Sequence, residues 1–550
     1  MLVWLKGYRR SWLAGDLAAG AVVAMMMVPQ GMAYALVAGL PPVAGIYASI
    51  LPLLLYALFG TSSSQSVGPM AIIALMTASA LGPLAAPGSA EYGLLAGQLA
   101  LMTGLVLLAC GLLRVGFLAN FFSRPVMSGF TLGSSVVIAL GQCETLLGGS
   151  FLAPHWPSAA LGGGAIAFLL LARRWGARLL RKLGLAPGAA DIGAKLAPML
   201  LVLGAIVLVG ALRLDAAGVR VIGAVPSGLP RLDLALLPSL FGAHWQALGK
   251  PALLIGFMSF LIAMSGAQTL ALKRYEKLRT NRELVGLGLA NAGSALSGGF
   301  PVTGSLSRSA VNFAAGARTQ LASVISAALL AGALVLPTGW LAPLPLPVLA
   351  ATIIVAVLGM LELGTLRTAW RYDRADALAL AATGGGVLLL GVEAGVVLGL
   401  VLSLGAMIWR ESRPHMAVLG RIAGTEHFRN VERYPGETEP GVLLLRVDAG
   451  LFFGNLEAVT GRIEDELAVD PRVRHLVLVL SAVNAIDTSA LFGLLELNGT
   501  LARRGVTLHL AEVKGPVMDR LRASSLPQAL SGRVFLSTAN AWDALARQQP

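Results

Sequence analysis

Cysteine, histidine and charge are all scarce in this chain of 550 residues. The two cysteines, Cys110 and Cys143, lie in apolar segments, so neither a disulfide framework nor a thiolate metal site is predicted. None of the six histidines pairs with another histidine, a cysteine or an acid at the spacing of metal ligands. Hydrolase triads and phosphate-binding glycine loops are also missing. The sequence therefore predicts no enzyme, no cofactor and no metal.

Charged residues make up 13% of the chain and apolar residues 56%, whereas soluble domains have about 25% charged residues. Apolar segments recur along the first three quarters of the sequence, most of them close to the length that crosses a hydrocarbon core of about 30 Å. The sequence thus predicts a polytopic α-helical membrane protein. Its fourteen predicted segments are 17–38, 43–59, 67–83, 92–112, 126–146, 160–173, 192–212, 251–272, 283–298, 303–316, 319–337, 347–362, 376–391 and 393–409.

Two of these segments are interrupted. A polar run, 61–69, precedes the third segment, and the tenth segment, 303–316, is too short to cross a membrane alone. The two occupy equivalent places if the fourteen segments form two sets of seven. Broken helices at matching places of two halves indicate the binding site of a transporter.

The net charge of +13 reflects the distribution of lysine and arginine among the connections. Connections such as 173–182, 273–282 and 367–374 are basic, whereas 82–91 and 147–160 contain no lysine or arginine. Basic connections face the cytoplasm, and the alternation fits an even number of crossings with both termini inside. The excess charge is thus a topology signal, and no nucleic-acid partner is predicted.

The sequence changes character after residue 413. Segment 414–440 is polar and contains several prolines and glycines, which predicts a linker. Strands and helices then alternate over 441–550, a pattern typical of a small cytoplasmic α/β domain. The predicted strands are 442–447, 451–453, 475–480, 506–510 and 534–536, and the predicted helices are 455–468, 488–503, 515–523 and 539–547.

Arg308 lies inside the interrupted tenth segment, among glycine, proline and hydroxyl residues. A charged side chain at membrane depth is costly, which makes Arg308 a candidate functional residue. The first N–H groups of a helix have no intrahelical partner and carry about half a positive charge, so two facing helix ends attract an anion. The predicted helix starts are Ser66, Gly68 and Pro69 in the third segment, and Thr303, Gly304 and Ser305 in the tenth.

Less specific explanations exist for the same residues. Arg308 could cap the carbonyl end of a neighbouring helix or extend to the membrane interface. Gln30 and Tyr34, four residues apart on the first segment, would face the same cavity, or would serve ordinary packing between helices.

Four stretches together resemble the SulP anion permeases, the sulfate permease family that includes prestin and pendrin. They are 28–47, 66–71, 298–312 and 476–492, and the last resembles the core of a STAS domain. The resemblance implies a 7+7 inverted repeat with half-helices at segments 3 and 10. It further implies a transporter domain over 1–413, made of a core (segments 1–4 and 8–11) and a gate (segments 5–7 and 12–14), and a STAS domain over 441–550.

The resemblance also implies a homodimer, an elevator-like motion of the core, and an anion beside Ser307 and Arg308. Some relatives carry an acid after the proline of the first segment or within the eighth segment. This chain has Gln30 at the first of these places, and the run 256–266 of the eighth segment contains no acid. Coupling to Na⁺ or protons is thus left open.

Ser489 resembles the serine that is phosphorylated in soluble relatives, with a plain helix N-cap as the alternative.

These observations predict a secondary transporter or exchanger for a small anion, in the plasma membrane, with both termini and the STAS domain in the cytoplasm. Sulfate, bicarbonate, chloride and a dicarboxylate such as fumarate are the candidate substrates. The alternative is a membrane-anchored anion sensor that signals through the STAS domain.

Overall fold

The computed structural model describes residues 4, 7–117, 123–223, 226–230, 232, 236, 244–361 and 363–546. The chain divides into two compact units, Met1–Ser403 and Leu404–Pro550.

Helices dominate the first unit. The helices of its first half are α1 (Leu13–Val37), α2 (Pro42–Phe59), α3 (Ala71–Leu81), α4 (Ala90–Leu112), α5 (Arg124–Gly141), α6 (Cys143–Leu147), α7 (Trp156–Leu171), α8 (Ala177–Lys182), α9 (Pro187–Lys195) and α10 (Ala197–Leu212). Those that follow are α11 (Trp245–Arg274), α12 (Thr280–Leu296), α13 (Leu306–Ala314), α14 (Leu321–Val335), α15 (Leu346–Leu358), α16 (Leu363–Tyr372), α17 (Arg374–Leu390) and α18 (Val392–Ser412), which runs into the second unit. Two short strands, β1 (Val67–Gly68) and β2 (Thr303–Gly304), interrupt the helices.

The predicted class, a polytopic helical membrane protein, is confirmed. Seven helices in the described part of the chain are long and apolar enough to span a membrane, and four shorter ones are also apolar. Boundaries differ from the sequence prediction in several places: the segment predicted at 126–146 divides into α5 and α6, and the one predicted at 192–212 divides into α9 and α10. Helix α16 was not predicted, because it is amphipathic rather than apolar and carries Arg367 and Arg371.

The helices of the first unit pack in two groups. Helices α1 and α2 pack on each other and on α14, while α12 packs on α2 and α4. In the other group α17 packs on α5, and α15 packs on α5 and α7. Contacts between the groups include α1 with α15 and α3 with α5.

Glycines allow the closest helix contacts. A Cβ added at Gly104 of α4 would lie 2.7 Å from the carbonyl oxygen of Gly288 on α12, and one at Gly31 of α1 would lie 3.0 Å from that of Gly45 on α2. Close approach through small residues is the usual packing of membrane helices, where the apolar surroundings give no hydrophobic drive between them.

The second unit contains a six-stranded sheet in the order β4-β3-β5-β6-β7-β8. Its strands are β3 (Met416–Arg421), β4 (Phe428–Asn430), β5 (Val442–Val447), β6 (His475–Val479), β7 (Thr507–Ala511) and β8 (Val534–Phe535). Strands β5 to β8 pair in parallel, whereas β3 pairs antiparallel with β4 and β5. The helices are α19 (Leu456–Val469), α20 (Thr488–Arg503), α21 (Gly515–Arg522), α22 (Leu526–Ala529) and α23 (Thr538–Ala546).

Two predictions for this unit are wrong. The expected linker, 414–440, contains β3 and β4 and so belongs to the sheet. Its alternating burial, with Ala417 and Leu419 buried, was hidden by the surrounding prolines, glycines and charges. The expected strand at 451–453 is only a single bridge between Leu451 and Ile486.

Candidate functional site

The two interrupted segments meet each other. Strand β1 pairs antiparallel with β2, with Val67 opposite Gly304 and Gly68 opposite Thr303. The N–H of Ser305 donates to the carbonyl oxygen of Ser66 at 3.0 Å. Since α3 begins three residues after β1 and α13 begins two residues after β2, the N-terminal ends of the two short helices lie on either side of this crossing.

The predicted helix starts need a correction. Gly68 lies in β1, and Thr303 and Gly304 form β2, so these residues are extended and precede the first helical turns. Pro69 disfavours the helical conformation at the residue before it, and the β1–β2 pairing provides the extended segments with hydrogen bonds. Helix α3 therefore begins at Ala71, and α13 begins at Leu306 with Ser305 as its N-cap.

Arg308 lies in the first turn of α13 and is only 1% exposed. Its Nη1 donates to the carbonyl oxygen of Pro69 at 2.7 Å, across the crossing. Nε and Nη2 have no hydrogen-bond partner in the described part of the chain. No ion pair within the same residues involves Arg308. The guanidinium is thus a buried cation with no counterion among the described residues, and it neither caps the end of a helix nor extends to an interface.

The first turn of α3 adds unpaired donors beside this guanidinium. The N–H groups of Ala71, Ile72 and Ile73 lie ahead of the first helical hydrogen bond, which runs from Ala74 to Met70. All three residues are buried, and no side chain among the described residues caps this end. The positive end of the helix dipole therefore has the same sign as the neighbouring Arg308.

The remaining predicted residues differ in how directly they join this cluster. Tyr34 is buried and close enough to Arg308 to interact with it electrostatically. A Cβ added at Gly68 would lie 3.4 Å from Arg308 Nη2, an ordinary contact that places Gly68 next to the guanidinium. Ser307 is exposed, and its hydroxyl lies 3.2 Å from that of Ser305. Gln30 is half-buried and makes no hydrogen bond with this cluster within the described residues.

A polar network that the sequence reasoning missed fastens the segment before β1. The hydroxyl of Ser309 accepts from the N–H of Ser66 at 2.9 Å, and Asn312 donates to the carbonyl oxygen of Ser64 at 3.0 Å. Gln320 donates to the carbonyl oxygens of Ser62 and Gln65. The extended backbone is thus held by side chains of α13 and the loop after it.

Two buried carboxylates complete this network. Glu283 of α12 accepts from the N–H of Thr61 at 2.6 Å, from that of Ser62 at 3.1 Å and from the Tyr56 hydroxyl at 2.6 Å. Asp16 of α1 accepts from the N–H groups of Arg318 and Thr319 at 2.6 and 3.1 Å. In the sequence, each of these acids stands at the start of an apolar segment, and nothing more marks it. Neither acid was therefore predicted to be buried.

In the second unit, Asp487 caps α20 by accepting from the N–H of Ala490 at 2.7 Å. Ser489 is exposed in the first turn of that helix. The described residues contain no group of three or more His, Cys, Asp or Glu side chains able to hold a metal ion.

A crossing of two broken helices around an unpaired buried cation is the arrangement of a membrane transporter site. Comparison with protein families gives the same class: residues 13–383 match the sulfate permease family and residues 435–541 match the STAS domain. The chain belongs to the sulfate permease family and carries a C-terminal STAS domain.

Relatives and solved structures agree with this assignment. A "Probable sulfate transporter" of Mycobacterium tuberculosis is 36% identical over 100% of this chain and 98% of its own length. "Sulfate transporter 4.1, chloroplastic" of Arabidopsis thaliana is 33% identical over 97% of this chain and 80% of its own. The structure of the murine Slc26a9 anion transporter in the inward-facing state shares the fold, with a TM-score of 0.89 and 22% identity over 100% of this chain and 94% of that one.

Proposed function

We propose that this protein is a secondary transporter or exchanger that carries a small anion across the plasma membrane. The observation that carries the proposal is the buried guanidinium of Arg308 between the two helix ends, which has no counterion in the part of the chain that the structure describes. The relatives with sulfate in their names favour sulfate as the first substrate to test, with bicarbonate, chloride and a dicarboxylate as the other candidates.

Electrostatics support an anion as the missing partner of this site. Removing a charge from water without a partner costs several kcal/mol even after relaxation. Among the described residues, the guanidinium of Arg308 makes one hydrogen bond with its five N–H donors. An anion at the crossing would accept from Nε or Nη2 and from the free N–H groups of the first turn of α3. The same anion would be stabilised by the positive end of the helix dipole.

The roles of the individual residues follow from their places. Arg308 would bind the anion directly. The anion would also accept hydrogen bonds from backbone N–H groups that lie next to Gly68, Pro69 and Ser305. Thr303 and Gly304 would hold the crossing through β2, and Ser66 would do so through β1. Tyr34, Gln30 and Ser307 would line the path on the α1 side and at the start of α13. Ser489 remains a candidate regulatory site at the exposed start of α20.

Transport would follow an elevator-like motion of one helix group against the other. The group of α1–α4 with α11–α14 contains both broken segments and would be the core, and the remaining helices would be the gate. The hydrogen bonds that fasten 62–66 to α13 and to the loop after it favour movement of the site as one body. We further propose a homodimer, with both termini and the STAS domain in the cytoplasm.

Uptake of labelled sulfate by proteoliposomes tests the proposal. Saturable uptake is expected for the wild type, and Arg308→Ala should reduce it at least about tenfold, since the variant loses the charged hydrogen bond to the anion. Arg318→Ala is the matched control, because Arg318 is an exposed arginine only ten residues away. Its uptake should stay close to that of the wild type.

Two results would contradict the proposal. Equal uptake by Arg308→Ala and the wild type would show that the crossing is not the anion site. Saturable binding of every candidate anion without any flux would instead favour the sensor that signals through the STAS domain.

A further inference from the structure

The side chain of Gln65 is buried and unbonded next to the crossing. It is 1% exposed, and neither Nε2 nor Oε1 has a hydrogen-bond partner within the described residues. The backbone of the same residue is well held, since its carbonyl oxygen accepts from Gln320 Nε2 at 3.2 Å. Leaving buried polar atoms without hydrogen bonds is unfavourable, so an aliphatic side chain would give a more stable fold at this position.

The position of the carboxamide connects it to the anion site. Gln65 precedes β1 by two residues, and its Nε2 packs directly against Gly304 of β2, where an added Cβ would collide with it. Gly304 is followed two residues later by the start of α13. The unpaired amide therefore lies beside the N-terminal end of one of the two broken helices.

Further unpaired hydroxyls surround the same crossing. The Oγ atoms of Ser66 and Ser259 are buried and have no partner in the described part of the chain. Ser259 is also in contact with β2, because its carbonyl oxygen accepts from the Thr303 hydroxyl at 2.6 Å. Neutral donors thus accompany the guanidinium of Arg308 on this side of the site.

We propose that Gln65 is a specificity-determining residue of the anion site: its carboxamide, which occupies the space that Gly304 leaves open, donates a hydrogen bond to a bound oxyanion. The inference rests on the proposed function and extends it to the class of substrate. Helix ends and a guanidinium attract any small anion through charge. A carboxamide adds directional donors, which an anion with several oxygens can use in addition and a halide cannot.

Replacement by leucine separates this role from a structural one. Gln65→Leu keeps a similar volume and removes both unpaired atoms, so its melting temperature in detergent should equal or exceed that of the wild type. Its KM for labelled sulfate should rise about tenfold, the value of one hydrogen bond to a charged group. The inhibition constant of chloride for sulfate uptake should change by less than about twofold, because chloride is held by the charges alone.

Gln98→Leu is the matched control, since Gln98 is a buried glutamine on α4. Its KM for sulfate should equal that of the wild type, whatever happens to its stability. Gln65→Asn provides a second variant that keeps an amide but shortens its reach, and it should also raise the KM for sulfate.

Gly304 offers an independent test through a double-variant cycle. Gly304→Ala alone should displace the Gln65 amide and raise the KM for sulfate. In a Gln65→Ala background the added methyl group meets no amide, so the same change should have a clearly smaller effect. Equal effects in both backgrounds would show that Gly304 does not act by keeping space for the carboxamide.

The outcomes also separate this inference from the proposed function. If the KM for sulfate and the inhibition constant of chloride are both unchanged in Gln65→Leu, the inference is overturned and anion transport is left intact. If the wild type binds sulfate, seen as sulfate-dependent thermal stabilisation, but shows no flux, transport fails and the affinity of Gln65→Leu still decides the role of Gln65. Absence of any sulfate or chloride binding by the wild type would overturn both.

Discussion

At the scale of single residues, the described part of the site combines one cation that has no ion-pair partner with two carboxylates that each accept several hydrogen bonds. Arg308 keeps donors free at the crossing, whereas the carboxylates of Glu283 and Asp16 accept from backbone and hydroxyl donors on the loops that flank it. Glu283 and Asp16 each lie in the first turn of a helix, where the dipole stabilises a negative charge. The acids therefore support the loops, whereas the free donors of Arg308 are the ones that we propose bind the substrate.

Removal of the Glu283 carboxylate should destabilise the whole first unit. Glu283→Ala leaves the half-buried N–H of Thr61, the buried N–H of Ser62 and the Tyr56 hydroxyl without this acceptor, which should cost about 3 kcal/mol or more. Thermal unfolding in detergent would detect this as a clearly lower melting temperature. Glu144→Ala, at an exposed acid, serves as the control. Equal melting temperatures for the two variants would refute the role assigned to Glu283.

At the scale of elements, the site depends on the register in which two short extended segments cross. Ser309, on α13, accepts from the N–H of Ser66 just before β1, so one helix holds the entry to the opposite strand. This contact joins residues 243 positions apart in the chain. The register of the crossing is therefore set by contacts between the two halves and not within either one.

Loss of the Ser309 hydroxyl should loosen the crossing. Ser309→Ala leaves the buried N–H of Ser66 unpaired, which should cost about 1–3 kcal/mol. The expected result is a lower melting temperature together with a raised KM for sulfate, because the anion donors on the two sides lose their fixed separation. A lower melting temperature with an unchanged KM would show that Ser309 supports the fold without positioning the site.

The sequence predicted these elements unevenly, for physical reasons. Apolar length identifies a membrane helix well, and the polar run before 67 together with the short segment after 303 indicated the two broken helices correctly. Residues 67–68 and 303–304 could not be assigned as strands, because a two-residue strand has no periodicity and exists only through its partner. Glu283, Gln65 and Ser309 were missed for the same reason, since only the fold brings them to the crossing.

At the scale of the whole molecule, the chain joins a helical unit to an α/β unit with its own apolar cores. The family and the fold class could be predicted because motifs from both units occur in order along the chain. The segment 414–440 was mistaken for a linker because its strands β3 and β4 are short and stand among prolines, glycines and charged residues, which hide the alternation of buried residues.

The α/β unit contains a pair of histidines that should make its stability depend on pH. His509 on β7 is buried, its Nδ1 accepts from the N–H of Arg533 at 3.1 Å, and its Nε2 lies 3.2 Å from Nδ1 of His475 on β6. Burial, followed by the charges of His475 and Arg533, lowers the pKa of His509 to about 4. Burial also lowers the pKa of His475.

The sign of the effect follows from these depressed pKa values. In the unfolded chain a histidine takes up a proton below about pH 6.5, whereas folded His509 stays neutral until about pH 4. The stabilising contribution is thus complete above about pH 6.5 and is lost as the pH falls from there towards 4, at up to about 1.4 kcal/mol per pH unit for each proton.

Urea unfolding of a fragment covering 414–550 should therefore show a lower free energy of unfolding at about pH 5.5 than at about pH 7. His509→Gln removes one titrating group and should flatten this difference, while a pH dependence that is identical in the variant and the parent would assign it to other groups.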